Sequence, residues 1–183
     1  IMVGNAGAEF WRRFRAEFPD RAEDPLNVWS GSILNAIAGE LGAQVLFPFG
    51  GPPHHPFQRW AQRAEAVYPS PVGSLIHPTY GLWHAYRGIL LFGESFPVPE
   101  RRQMRSPCDN CEAKPCLNTC PVGAMTEGGF VSDPCIAHLA APSGGDCMQL
   151  GCAARRGCPV GTQYIYEPDQ AQFHQNAFFR SHY

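Results

Sequence analysis

The sequence predicts an α+β chain in which an α+β domain over residues 1–100 is followed by a small cysteine-rich domain, 101–166, and a C-terminal helix, 167–183. Three observations carry this. All eight cysteines lie after residue 107, while all four tryptophans and most phenylalanines lie before residue 95. The apolar pattern of the first part alternates between helical and strand-like periods. Between Arg101 and Gly161 there is one Phe, no Trp, no Tyr and few aliphatic residues, too little for hydrophobic burial to fold that stretch unaided. The connector is read as "FPVPERRQMRSP", 96–107, rich in proline and arginine.

The elements come in order. Phe10, Trp11, Phe14 and Phe18 recur at helical spacing, which predicts an amphipathic helix over 5–18. Ile1, ahead of Met2, carries no weight in this reading. "DPLNVWSGSILNAIAGELG", 24–42, places Asp24 as an N-cap, Pro25 at the first helical position and Gly42 at the end. "AQVLFPFG" gives a short strand broken by Pro48, "GGPPHHP" a loop, and "FQRWAQRAEAV" a helix opened by Pro56. "VGSLIHP" and "LWHAYRGILLF", joined by "TYG", predict a β-hairpin. The tail "DQAQFHQNAFFRS" predicts a helix with Phe173, Ala177 and Phe178 on one face, packing back on the body.

The cysteines fall in two runs. The first is Cys108-x2-Cys111-x4-Cys116-x3-Cys120-Pro; the second is Cys135, then Cys147-x4-Cys152-x5-Cys158-Pro. Each run ends in the same tetrapeptide, "CPVG", at 120–123 and 158–161, an internal repeat that predicts a pseudo-twofold arrangement. Thiolates this dense bind metal or one another. Zinc usually takes two separated pairs, and a disulfide framework goes with secretion, so the runs fit iron–sulfur clusters better. They resemble the runs of two-cluster ferredoxins, in which the cysteine before proline serves the other cluster. That resemblance implies one [4Fe–4S] cluster on Cys108, Cys111, Cys116 and Cys158, and a second on Cys120, Cys135, Cys147 and Cys152. None of the eight is left over.

The segment "LIHPTYGLWHAYRGILLFGESFPVP", 75–99, carries Ile76, His77, Pro78, Gly81, Trp83, Arg87 and Gly88. It resembles the corresponding segment of the CblC-type cobalamin-processing chaperones. The order "FQRWAQRA", hairpin, "CDNC…CP", lone cysteine and second "CP" is similar to that of the epoxyqueuosine reductases and reductive dehalogenases. The resemblance spans about residues 45–165 and implies an abbreviated nitroreductase-like domain joined to a ferredoxin-like domain with two [4Fe–4S] clusters. It also implies cobalamin as the leading candidate for a second cofactor, contacted by His77, Trp83, Tyr86 and Arg87. The residues by themselves leave other roles open. His77 and His84 fit structural histidines, His54 and His55 a solvated loop pair, Arg87 an internal ion pair, and Trp83 and Tyr86 core aromatics. The acid that epoxyqueuosine reductases place before the helix has no counterpart in "FPFGGPPHHP", so no catalytic residue is assigned.

A formal charge of -2 gives no general electrostatic case for nucleic acid or an anionic membrane as partner. The longest apolar runs are too short to span a bilayer. "EFWRRFRAEF" has no apolar stretch behind its arginine pair, so no signal peptide is read and the cytoplasm is the expected compartment. Two functions of different class are compatible with these residues. One is an oxidoreductase passing single electrons to a cofactor or substrate at the N-terminal domain. The other is a two-cluster ferredoxin-type carrier with no organic cofactor, whose first domain docks a redox partner protein. A second copy of the chain could complete the shortened first domain, as a homodimer.

Overall fold

The structure is a computed structural model that describes residues 1–18, 23–98, 100, 104–126 and 128–182. It is a mixed α+β fold with helices and small antiparallel sheets. The chain gathers into two compact units that are not consecutive in sequence. The first is Ile1–Ala66 with His84–Met104; the second is Val67–Trp83 with Arg105–Tyr183. The division therefore differs from a linear one at residue 100, because Val67–Trp83 joins the cysteine-bearing part. The connector expected over 96–107 lies partly outside the described residues.

In the first unit, strand β1 (Met2–Ala6) leads into helix α1 (Glu9–Glu17), followed by α2 (Pro25–Leu41), β2 (Gln44–Leu46), α3 (Phe57–Ala64) and β5 (His84–Leu91). The strands form one antiparallel sheet in the order β1-β5-β2. Helix α1 begins at Glu9 and not at residue 5, because Asn5 and Ala6 pair with β5 as the end of β1; it buries Trp11 and Phe14. Phe10 and Phe14 meet Trp29 of α2 at ring separations of 5.0 and 5.6 Å, an aromatic core of the kind that dominates small interiors. Gly42 ends α2 in the left-handed conformation, its N–H bonded to the Ala38 carbonyl. Asp24 precedes α2 but makes no side-chain cap; its own φ is +49°, so its carboxylate is not presented to the first-turn amides.

The predicted hairpin does not form as a two-stranded ladder. Strand β4 (Leu75–Ile76) pairs with β3 (Tyr68–Pro69) in the second unit, whereas both edges of β5 are taken by β1 and β2. Only the pair His77 and Gly81 is bridged, by mutual backbone hydrogen bonds of 2.8 Å. Pro78 has no N–H to extend that bridge, and Gly81, at φ +58°, turns the chain away toward buried Leu82 and Trp83.

The rest of the second unit is built of short pieces. They are α4 (Pro115–Asn118), β6 (Met125–Thr126), β7 (Gly129–Phe130), α5 (Ser132–Ala140), α6 (Gly145–Leu150), α7 (Ala153–Arg156) and α8 (Pro168–Arg180). Helix α8 forms over the tail as expected, starting one residue earlier at Pro168, but its buried residues are Gln170, Ala171 and Gln175. Ala177 is exposed, and Phe173 is half-buried, so only Phe178 of the expected face turns inward with them. The reason is Gly151: Ala171 seats on its backbone, a Cβ there having only 3.2 Å of room, and this fixes the rotation of α8.

Candidate metal centre

The elements that carry the cysteines are short. Cys116 lies within α4, Cys135 within α5, Cys147 within α6, and Cys152 immediately before α7. All eight are free thiols. Burial is the main cause of the raised pKa values of Cys108, Cys116, Cys135, Cys152 and Cys158, with Cys135 pushed up to about 11.

The lesser causes show which thiols are neighbours. Cys108 is raised further by Cys158, Cys116 and Cys111, and Cys158 by Cys116 and Cys111. Cys135 is raised further by Cys152, Cys120 and Cys147, and Cys152 by Cys147 and Cys120. The eight thiols thus stand as two foursomes, each holding the proline-flanked cysteine of the other run.

Backbone amides point at the sulfurs. The Ala124 N–H lies 3.3 Å from Cys120 Sγ. Hydrogen bonds from the Val160 amide to Cys158, from Leu117 to Cys116, and from Arg155 and Ala154 to Cys152 act to lower those thiols' pKa values against burial. Such donors favour the thiolate, the form that binds metal. The chemistry of the donor set therefore fits an iron–sulfur cluster in each foursome. Among the described residues no three His, Cys, Asp or Glu side chains gather closely enough to hold a single metal ion.

The first foursome lines one recess. Cys108, Cys111, Cys116 and Cys158 share its wall with Pro71 and Ile76 from the 67–83 segment, and almost all of the exposed lining is apolar. Two glycines secure that cover. An added Cβ on Gly81 would sit 1.9 Å from the Val160 carbonyl oxygen, and one on Gly161 2.4 Å from the Tyr80 carbonyl carbon. Both glycines have positive φ, so backbone meets backbone where no side chain fits. Tyr80 adds an edge-on contact with Tyr164, ring centres 4.9 Å apart.

The second foursome borders a larger cavity of about 200 Å³, reached by Cys135 and Cys152 but not by Cys120 or Cys147. Trp83 forms part of its wall, 2 % exposed, and its indole Nε1 is buried with no hydrogen-bond partner. Arg155 lies across it, with its guanidinium carbon 4.6 Å from the Trp83 ring centre and 4.5 Å from that of Tyr166. Arg155 Nε donates to the Leu82 carbonyl at 3.0 Å. The chain matches no family model, no curated protein and no solved structure. Among the described residues no helix is long and apolar enough to cross a membrane.

The residues expected to hold a second cofactor do not stand in one unit. His77 and Trp83 belong to the second, Tyr86 and Arg87 to the first. His77 Nδ1 accepts from the Thr79 and Tyr80 amides at 2.9 and 3.1 Å, so the ring closes its own turn. Tyr86 donates to Glu65; burial, then that bond, raises its pKa far above the usual phenol range. Arg87 donates to Asn27 Oδ1 at 2.8 Å and Ser30 Oγ at 2.9 Å on α2, and lies over the rings of Phe49 and Phe10. Sequence reasoning did not single out Arg155, Tyr166 or His174. Their one legible signal was an arginine midway between Cys152 and Cys158; nothing in the sequence linked it to Trp83.

Proposed function

We propose that the second unit is a ferredoxin-like electron-transfer domain holding two [4Fe–4S] clusters, on Cys108, Cys111, Cys116 and Cys158 and on Cys120, Cys135, Cys147 and Cys152. The observation that carries this is the division of the eight thiols into those two foursomes, with Cys120 and Cys158 exchanged between the runs. Bound there, each cluster would take up and release one electron at a time. The chain's own residues supply the rest. Backbone amides at Ala124, Leu117, Ala154 and Val160 favour charge on sulfur, and Pro71 and Ile76 keep water from the first foursome.

An electron-delivering oxidoreductase is the second form of this reading: the recess beside Cys135 and Cys152 is walled also by Trp83, Arg155 and His174, side chains that a bare carrier has no need to gather there. The test is analysis of anaerobically purified protein. About eight iron and eight sulfide per chain are expected, with paramagnetic signals on reduction. Stoichiometric zinc with negligible iron would overturn the proposal.

A further inference from the structure

Lys114 stands where the backbone favours another residue. Its φ and ψ, +36° and +56°, are left-handed, a conformation that costs an L-residue energy and that glycine takes freely. Pro115 follows it, and a residue before proline is pushed toward extended backbone, away from this conformation. The turn lies between Cys111 and Cys116, which line the same recess, and it starts α4. A glycine would make that turn without the cost. Strain of this kind persists where the side chain has a use that offsets it.

The use is electrostatic. Lys114 is on the wall of the first recess with Cys108, Cys111, Cys116 and Cys158, and its charge acts on Cys116, favouring the thiolate against the burial that disfavours it. It is the chain's single lysine among thirteen arginines, and an ammonium is the more compact point charge. The rest of that wall is prolines, Ile76 and Val160. An apolar wall disfavours added negative charge, and a cluster on this foursome gains one negative charge with each electron it takes up. We propose that Lys114 is a potential-setting residue of the first foursome, its ammonium holding that cluster's reduction potential above the value its apolar recess would impose. The inference rests on the cluster reading above and concerns one cluster of the two. A unit charge at about 10 Å, across an effective dielectric constant of about 20–40, changes the ratio of reduced to oxidised cluster roughly four- to sixteenfold. Lys114 is exposed, so screening by water puts the effect at the lower end of that range.

The experiment is an anaerobic redox titration of the purified full chain with dithionite as the reductant, read by paramagnetic resonance. The two cluster signals are assigned with Cys116→Ser, which removes a ligand of the first foursome. Lys114→Gln removes the charge. At a fixed potential it should cut the reduced-to-oxidised ratio of the first cluster at least threefold, a fall of about 28 mV for a one-electron couple, with less than half that shift at the second. Lys114→Arg should recover at least half of the fall. Lys114→Gly should lower the potential as Lys114→Gln does, yet raise Tm by about 1–4 °C because the strained backbone relaxes. A lysine that served only the fold would not give those opposite signs. An unmoved first-cluster potential, equal shifts at both clusters, no recovery in Lys114→Arg or a lower Tm in Lys114→Gly would each overturn the proposal. Iron is measured in every variant. Full iron with an unmoved potential would overturn this inference and leave the cluster reading standing; negligible iron in the unsubstituted chain would overturn that reading, and this inference with it.

Discussion

The two copies of "CPVG" allow one perturbation to be made twice in different surroundings. Gly123 and Gly161 occupy the same place in the repeat, and both have positive φ, +61° and +72°. An alanine in that conformation costs about 1–2 kcal/mol at either site. Beyond this the sites differ. Nothing lies within 4 Å of a Cβ on Gly123, whereas one on Gly161 would meet the backbone of Tyr80 at 2.4 and 2.5 Å and that of Gly81 at 2.6 Å. These are main-chain atoms, so relief requires the 67–83 segment to back away, a further cost of about 1–3 kcal/mol on the scale of overpacked cores. Gly161→Ala should therefore destabilise by about 2–5 kcal/mol, and Gly123→Ala by about 1–2 kcal/mol. For a chain of this size that difference is roughly 2–12 °C in Tm. The assay is paired thermal and urea unfolding under anaerobic conditions, with the cluster signals followed separately. Gly161→Ala should also loosen the foursome containing Cys158 first, since Pro71 and Ile76 would withdraw from it. Equal destabilisation of the two variants would show that the 67–83 segment does not rest on Val160 and Gly161.

Three other outcomes are expected from the geometry. Cys120→Ser should impair the cluster shared with Cys135, Cys147 and Cys152, and Cys158→Ser the one shared with Cys108, Cys111 and Cys116, as read by paramagnetic resonance; the opposite losses would reverse the ligand sets. Arg87→Ala should destabilise the first unit by about 1.5–3 kcal/mol, because the Asn27 and Ser30 side chains lose a charged partner, and Arg87→Lys should restore only part of this. Tyr86 has a raised folded pKa, so its protonated phenol is favoured by folding: that contribution is complete below the unfolded value of about 10 and is lost as pH rises toward the folded one. Tyr86→Phe should accordingly leave the phenolate absorbance of folded protein unchanged between about pH 9 and 11, yet lower stability at neutral pH.

How much the sequence discloses, and how much it conceals, depends on the range of the interactions. Helix α2 and the bodies of α1 and α8 are readable because aromatic spacing, Pro25 and Gly42 act within a turn or two of themselves. The two cysteine runs are legible as spacing alone. Strand β1 is not, since "MVGNA" has no apolar alternation and becomes a strand only by pairing with β5. Its register even reaches Ile1, whose backbone nitrogen donates to the Leu90 carbonyl at 2.8 Å. The hairpin misleads because the pattern around "TYG" states that a turn occurs, not which strands β4 and β5 will find. The same limit hides the Trp83, Arg155 and Tyr166 stack, whose members are far apart along the chain and close only once the second unit has closed.

The interleaving of the two units also sets a schedule. During synthesis the first unit has all its strands once β5 is made, but Leu75, Ile76, Leu82 and Trp83 belong to the other unit and by then have nothing to cover them. Ile76 and Leu82 pack with Cys158 and Val160, and Trp83 with Tyr166 and Ala171, all roughly 75 residues or more downstream of Trp83. At about 5–20 residues per second that is a delay of roughly 4–15 s. Through that interval an apolar loop projects from a partly finished protein. On the cluster reading proposed above, iron supplied late would lengthen the exposure, so aggregation of this chain should rise under iron limitation well before any fall in its synthesis.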